Sequence, residues 1–122
     1  MRSIAGLAAP FGQQSAHPGR SFELAADGAW AVDPAAVLVL EHKTSPHVIG
    51  SVEVEVLDAG IYAIGVVEDD ALDIEGLRFS VELAPWEMTE SGGVHVVAAG
   101  TITAVALTAS PAFTGTEFEV IA

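Results

Sequence analysis

The sequence predicts an all-β fold, or a mainly β fold with one or two short helical turns. Val37–Leu40 is a run of four apolar residues, which is typical of a buried strand. Val52–Val56 alternates valine with glutamate, as a strand with one solvent-exposed face does. No long stretch shows the apolar period of an amphipathic helix. Many short strands have many unpaired edges, and a small closed or partly closed β-barrel is the architecture that pairs them.

The other predicted strands lie between groups of turn-forming residues, which gives roughly seven to nine strands in all. In the segment Leu77–Leu83, the odd-numbered apolar residues share one face, and Arg78, Ser80 and Glu82 share the other. Gly100 marks either a bend in one long strand or a break between two. The other predicted strands are Ile4–Ala9, Ser21–Leu24, Ile61–Val67, Val94–Thr108 and Glu117–Ile121.

Turns and loops are predicted where Gly, Pro, Asp and Ser cluster. The acidic segment Glu68–Gly76 is predicted to be a solvated connection with room for a helical turn. In the predicted loop Pro85–Gly93, Trp86 and Met88 are the side chains that would fold back onto the core. Tight turns are predicted at Asp27-Gly28, at Asp33-Pro34 and at Asp58-Ala59-Gly60, and a further loop at Pro10–Gly19.

Composition and charge exclude several classes of function. The 122 residues, of which 51% are apolar, are enough for one domain spanning 1–122. The net charge of −13 repels phosphate backbones and anionic membranes, so we expect no nucleic-acid or membrane partner. No apolar run reaches membrane-spanning length. Because the chain lacks cysteine and its 4 histidines match no ligand motif, we predict neither a metal nor a cofactor.

Six segments resemble, in chain order, one known family. Together they are similar to the tailed-phage prohead proteases, the capsid maturation serine proteases, which share a barrel fold with the herpesvirus assemblins. The resemblance implies that fold for residues 1–122. The segments are IAGLAAPFG (4–12), FELAADGAW (22–30), VLEHKTSPHVIG (39–50), GIYAIGVV (60–67), GLRFSVEL (76–83) and ITAVALTASPAFTGTEFEVI (102–121).

The resemblance implies a serine nucleophile, a histidine base and, commonly, a carboxylate on the closing strand. His42 matches the family histidine. The nucleophile position falls on Arg78, and Ser80 follows on the same strand face, displaced by about 6–7 Å. The carboxylate position falls on Ala104, and no acidic residue lies in 94–116. The chain therefore resembles a catalytically degenerate member of the family, a pseudoprotease.

The expected function is that of a non-catalytic, capsid-associated protein, which is a decoration, cement or minor capsid protein of a bacteriophage. The expected partner is the major capsid protein, with the chain bound to the capsid lattice or forming a homo-oligomer. Its expected location is the virion capsid, and the host cytoplasm during assembly. The alternative is an active maturation protease in which Ser80 is the nucleophile, His42 the base, and His47 or His95 orients the base. A third hypothesis is a β-barrel binding module, for example for carbohydrate.

Overall fold

The computed structural model describes residues 1–15, 21–41 and 47–122. These residues form seven strands and no helix, which confirms the all-β class, and the predicted helical turns do not form within them. Those ranges also contain no helix with the length and apolarity that a membrane span requires. The strands are β1 (Arg2–Pro10), β2 (Ser21–Leu40), β3 (His47–Leu57), β4 (Gly60–Val67), β5 (Arg78–Ser91), β6 (Val94–Thr108) and β7 (Phe118–Val120).

All seven strands belong to one sheet, in the order β5–β6–β2–β3–β4–β1–β7. Neighbouring strands are antiparallel except β6 and β2, the second and third strands from the β5 edge, which are parallel. The predicted turn between β3 and β4 is confirmed, since Leu57 lies opposite Gly60 across Asp58 and Ala59. The β5–β6 hairpin turns at Gly92 and Gly93, whose φ angles of 59° and 82° favour glycine.

The sheet is rolled, so that its two outermost strands approach each other. The rings of Phe79 in β5 and Phe118 in β7 lie 5.1 Å apart. The Phe79 N–H donates a hydrogen bond to the Thr116 carbonyl at 3.0 Å. Within the described residues no ladder joins β5 to β7, so of the two predicted forms, a closed or a partly closed barrel, the closed one does not form. Residues 109–117 lie along the first part of β5, and β7 has only three residues with which to pair.

Two apolar clusters fill the inside of the roll. The first takes buried residues from six strands, which is possible only because the roll brings β1 and β5 to the same core. Ile74 is 7% exposed and also packs in this cluster, so an apolar side chain anchors the acidic connection between β4 and β5. The strand residues of the first cluster include Ile4, Leu38, Ile49, Val67, Phe79 and Leu107. The buried residues of the second are Ala9, Leu24, Ile61, Val97, Ile102 and Phe113.

β2 is one long strand that continues through two predicted turns. Residues 25–28 lie opposite Ala98 of β6 alone, and residues 33–36 lie opposite Thr103 alone. The Asp33 carboxylate accepts a hydrogen bond from the Ala35 N–H at 2.8 Å, as in a turn. The turn-forming residues therefore produce local irregularities in the pairing and do not end the strand.

β5 likewise continues through the predicted loop Pro85–Gly93, so that prediction is wrong. Pro85 is tolerated because β5 is an edge strand with β6 as its one neighbour in the sheet. The pairing register shifts on either side of Glu87. Trp86 is 63% exposed and Met88 is 43% exposed, so neither side chain folds back onto the core as predicted.

Candidate functional site

The face of β5 that carries Arg78, Ser80 and Glu82 is the candidate site. Phe79 packs on the opposite face, inside the roll, which confirms the predicted alternation. Ser80 lies opposite Ala106 of β6, and Ala106 lies opposite Val39 of β2. Directly paired residues share a sheet face, so the three form one row across the strands. We call this surface the β5 outer face.

Ser80 is enclosed within this face. The residue is 1% exposed. Its Oγ accepts a hydrogen bond from the Ala112 N–H at 3.3 Å, and this bond holds residues 109–117 over the strand. A serine nucleophile must contact the carbonyl carbon of its substrate. In this conformation Ser80 ties a loop to an edge strand and is closed to a peptide.

Arg78 stands where the resemblance predicts a nucleophile. Its Nε lies 3.6 Å from a carboxylate oxygen of Glu117, and its Nη1 donates to the Leu77 carbonyl at 3.0 Å. A guanidinium group has hydrogen-bond donors and no acceptor, so it is no nucleophile. Arg78 lines a shallow depression of about 380 Å³ together with residues 109–117, so an ion pair lies where the resemblance implies an active serine.

Ala104 stands where the resemblance predicts a carboxylate. It is 5% exposed and packs with Val39 and Ala106, and its methyl group cannot orient a base. Glu82 of β5 lies directly opposite Ala104. Its carboxylate is a candidate functional group that the sequence reasoning missed. Opposed residues have Cβ atoms about 5 Å apart. A carboxylate is therefore present on the adjacent strand, beside the residue at which the resemblance implies one.

His42, the predicted catalytic base, lies outside the described residues, and so does His17. β2 ends at Leu40, and the Glu41 N–H donates to the Leu107 carbonyl at 2.8 Å. His47 begins β3 and lies opposite Leu40. His95 stacks on Phe22, with centroids 5.3 Å apart. It precedes Ala106 on β6 by roughly 35 Å of extended chain, so it cannot orient a base beside Ser80.

The charged groups away from the β5 outer face form no metal centre in the described ranges. No group of three or more His, Asp or Glu residues there is placed to hold a metal ion. The N-terminal amine lies 2.7 Å from the Asp70 carboxylate. Its hydrogen bond and positive charge hold the pKa of Asp70 below the ordinary value. This contact is exposed and lies away from Ser80.

A pocket of about 250 Å³ opens where the rolled sheet fails to close. Its wall on the β5 side consists of alternate residues of that strand, and Ala112 and Phe113 form the opposite wall. Leu24 and Val97 of the second apolar cluster lie at its base. We call it the seam pocket. Among the residues that the structure describes, its lining consists of Ser15, Phe22, Leu24, Val81, Leu83, Pro85, Val97, Ala112 and Phe113.

Comparison with known proteins gives no match: no family model, no curated protein and no solved structure is similar to this chain. Any functional proposal is therefore supported by the ordered segments of the sequence and by the geometry of the β5 outer face.

Proposed function

We propose that the protein is a non-catalytic, capsid-associated component of a tailed phage, built on a partly closed barrel of the prohead-protease type. Its partner is the major capsid protein, and it acts as a decoration, cement or minor capsid protein in the virion. It is bound to the capsid lattice or forms a homo-oligomer. The observation that carries the loss of catalysis is the enclosed Ser80, whose hydroxyl holds residues 109–117 in place.

Two further features support a loss of catalysis. Arg78 stands at the nucleophile position and forms an ion pair with Glu117. Ala104, at the carboxylate position, is buried among apolar residues. The strands of a rolled sheet offer a surface for attachment to a capsid shell. A protein can keep the fold of an enzyme without keeping the enzyme's catalytic activity.

An active protease remains the second candidate, because Glu82 lies opposite Ala104 and on the same face as Ser80. In that mechanism His42 would take the Ser80 proton, Glu82 would orient the imidazole, and residues 109–117 would have to leave Ser80. The two candidates therefore differ in one measurable property, which is peptide turnover that depends on Ser80.

We expect Ser80→Ala to leave any peptidase signal unchanged and to alter the free energy of unfolding by about 1 kcal/mol, the worth of one hydrogen bond. Cleavage of a capsid-precursor substrate should be assayed with wild type, Ser80→Ala and His42→Ala, and stability followed by urea denaturation. Thr103→Ala is the matched control, since it also removes one hydroxyl hydrogen bond, to the Glu82 carbonyl. Turnover lost in both Ser80→Ala and His42→Ala, but kept in the control, would establish the protease.

We expect the protein to be present in fixed stoichiometry in purified mature virions, because a cement or decoration protein stays on the shell whereas a maturation protease leaves or digests itself. Quantitative mass spectrometry of virions and of immature proheads measures this ratio. Presence in proheads followed by loss from mature particles would contradict the proposal.

A further inference from the structure

The second half of β5 differs from the first in being uncovered. Residues 109–117 lie along β5 at Phe79 and Ser80. Every residue of Ala84–Ser91 is exposed, and no strand pairs with this half on the side away from β6 within the described residues. We call Ala84–Ser91 the β5 arm. Its outer backbone groups form an edge to which another strand can add.

The seam pocket lies directly beside this edge. Leu83, just before the β5 arm, and Pro85, within it, form part of one wall of the pocket, and Phe113 forms part of the opposite wall. Except for Ser15, every described residue of the lining is apolar. The Ser15 Oγ already accepts the Phe22 N–H at 2.9 Å. The pocket therefore suits an apolar group, and its volume of about 250 Å³ matches a large side chain better than a drug-sized ligand.

The β5 arm also carries exposed apolar surface between negative charges. Trp86 and Met88 are the exposed large apolar residues of the arm; Glu87 lies between them, and Glu90 follows two residues after Met88. Exposed tryptophan is typical of binding hot spots. Neither glutamate has an ion-pair partner among the residues that the structure describes. Opposite Glu90 stands His95, which is the sole basic side chain from Ala84 to Thr108.

This charge selects the kind of partner. A second copy of the chain, pairing arm to arm, would bring glutamates against glutamates, and like charges opposed across strands are destabilising. The chain as a whole has a net charge of −13, which adds to that repulsion. A cationic segment would instead be attracted both by the glutamates of the arm and by the net negative charge of the chain.

We propose that the β5 arm and the seam pocket bind an extended, lysine- or arginine-rich segment of another protein. The segment pairs with the outer edge of β5, inserts one apolar side chain into the seam pocket, and places its cations beside Glu87 and Glu90. This inference does not depend on the capsid assignment, because the edge, the pocket and the charge would select the same segment in any partner.

The test uses a short, fluorescein-labelled peptide that alternates lysine with valine and carries leucine at its centre. Binding is followed by fluorescence anisotropy of the label at two salt concentrations, with folding of each variant checked by circular dichroism. Two further peptides separate the contribution of the apolar side chains from that of strand pairing. One has serine in place of the apolar residues, and the other has an N-methylated backbone on one edge. We expect both to bind more weakly by about tenfold or more.

Charge reversal at the arm is compared with an equal reversal elsewhere. The double variant Glu87→Lys/Glu90→Lys should weaken binding by about tenfold or more, and Glu53→Lys/Glu55→Lys, which reverses two exposed glutamates of β3, by less than about threefold. Ala112→Phe, which fills the seam pocket from its loop wall, should weaken binding about as much as the arm variant.

Three results would overturn the proposal. One is no binding to wild type at about 1 mM peptide. Another is equal weakening of peptide binding by the two charge-reversed double variants, which would show that binding depends on net charge alone and not on the β5 arm. The last is concentration-dependent dimerisation of wild type that Trp86→Ala abolishes, because a second copy would then be the occupant.

Discussion

Replacing Gly50 with alanine will unfold the protein or destabilise it by about 4 kcal/mol or more, a cost confined to a few mechanisms such as severe overpacking. A Cβ atom at this position would lie 1.6 Å from the Val66 carbonyl oxygen and 2.8 Å from its carbonyl carbon. These are backbone atoms of β4, so no side-chain rotation relieves the clash. Gly50 is buried and also lies opposite Leu38 of β2, so β3 cannot move away from β4 without breaking its other pairing.

Urea denaturation followed by circular dichroism measures the loss, and Gly12→Ala is the control. Gly12 has a φ of 71°, and an added Cβ there would meet nothing within 4 Å. Its alanine variant should therefore cost only the backbone strain of about 1–2 kcal/mol. Equal costs at the two positions would show that β3 and β4 are not as close as the structure places them.

Phe79→Ala should lower the free energy of unfolding by about 3–5 kcal/mol, the usual cost of truncating a buried aromatic residue. Phe79 is 0% exposed, packs in the first apolar cluster and contacts the Phe118 ring. Its truncation leaves a cavity and also removes the ring contact by which β5 meets β7 across the open roll.

Trp86→Ala is the matched control, because it also removes an aromatic ring from β5, but one that is 63% exposed. We expect it to change stability by no more than about 0.5 kcal/mol, as surface substitutions do. Thermal and urea unfolding of the two variants should therefore differ widely. A cost at Trp86 equal to that at Phe79 would mean that the β5 arm packs against the rest of the chain.

The features that the sequence predicted correctly are those set by neighbouring residues. The alternation in β3 and the two-residue turn before Gly60 need only local information, and both are confirmed. β2 and the β5 arm were predicted to be interrupted because Asp33-Pro34 and Pro85 usually end strands. β2 continues because β6, far along the chain, pairs with it on both sides of each irregularity, and residue spacing alone cannot reveal that pairing.

The candidate site shows the same division. The ordered segments of the sequence are enough to predict that Arg78 and Ala104 stand where the resemblance implies a nucleophile and a carboxylate. The approach of Glu82 to Ala104 depends on the register between β5 and β6, which contains shifts that the sequence does not mark. The hydrogen bond from Ala112 to Ser80 depends on how a distant loop folds back, so the enclosure of Ser80 was likewise not predictable.

The parallel pairing of β2 with β6 has a consequence for how the protein is made. The whole of residues 41–93 must be synthesised before β6 exists, so a nascent chain carries β2 with one side unpaired for much of its translation. Closing so long a loop is entropically costly, and folds dominated by such distant pairings acquire their structure on a millisecond-to-second timescale. We therefore expect the β5–β6 hairpin to join the rest of the sheet late, and chaperone dependence to be greatest before the second half of the chain leaves the ribosome.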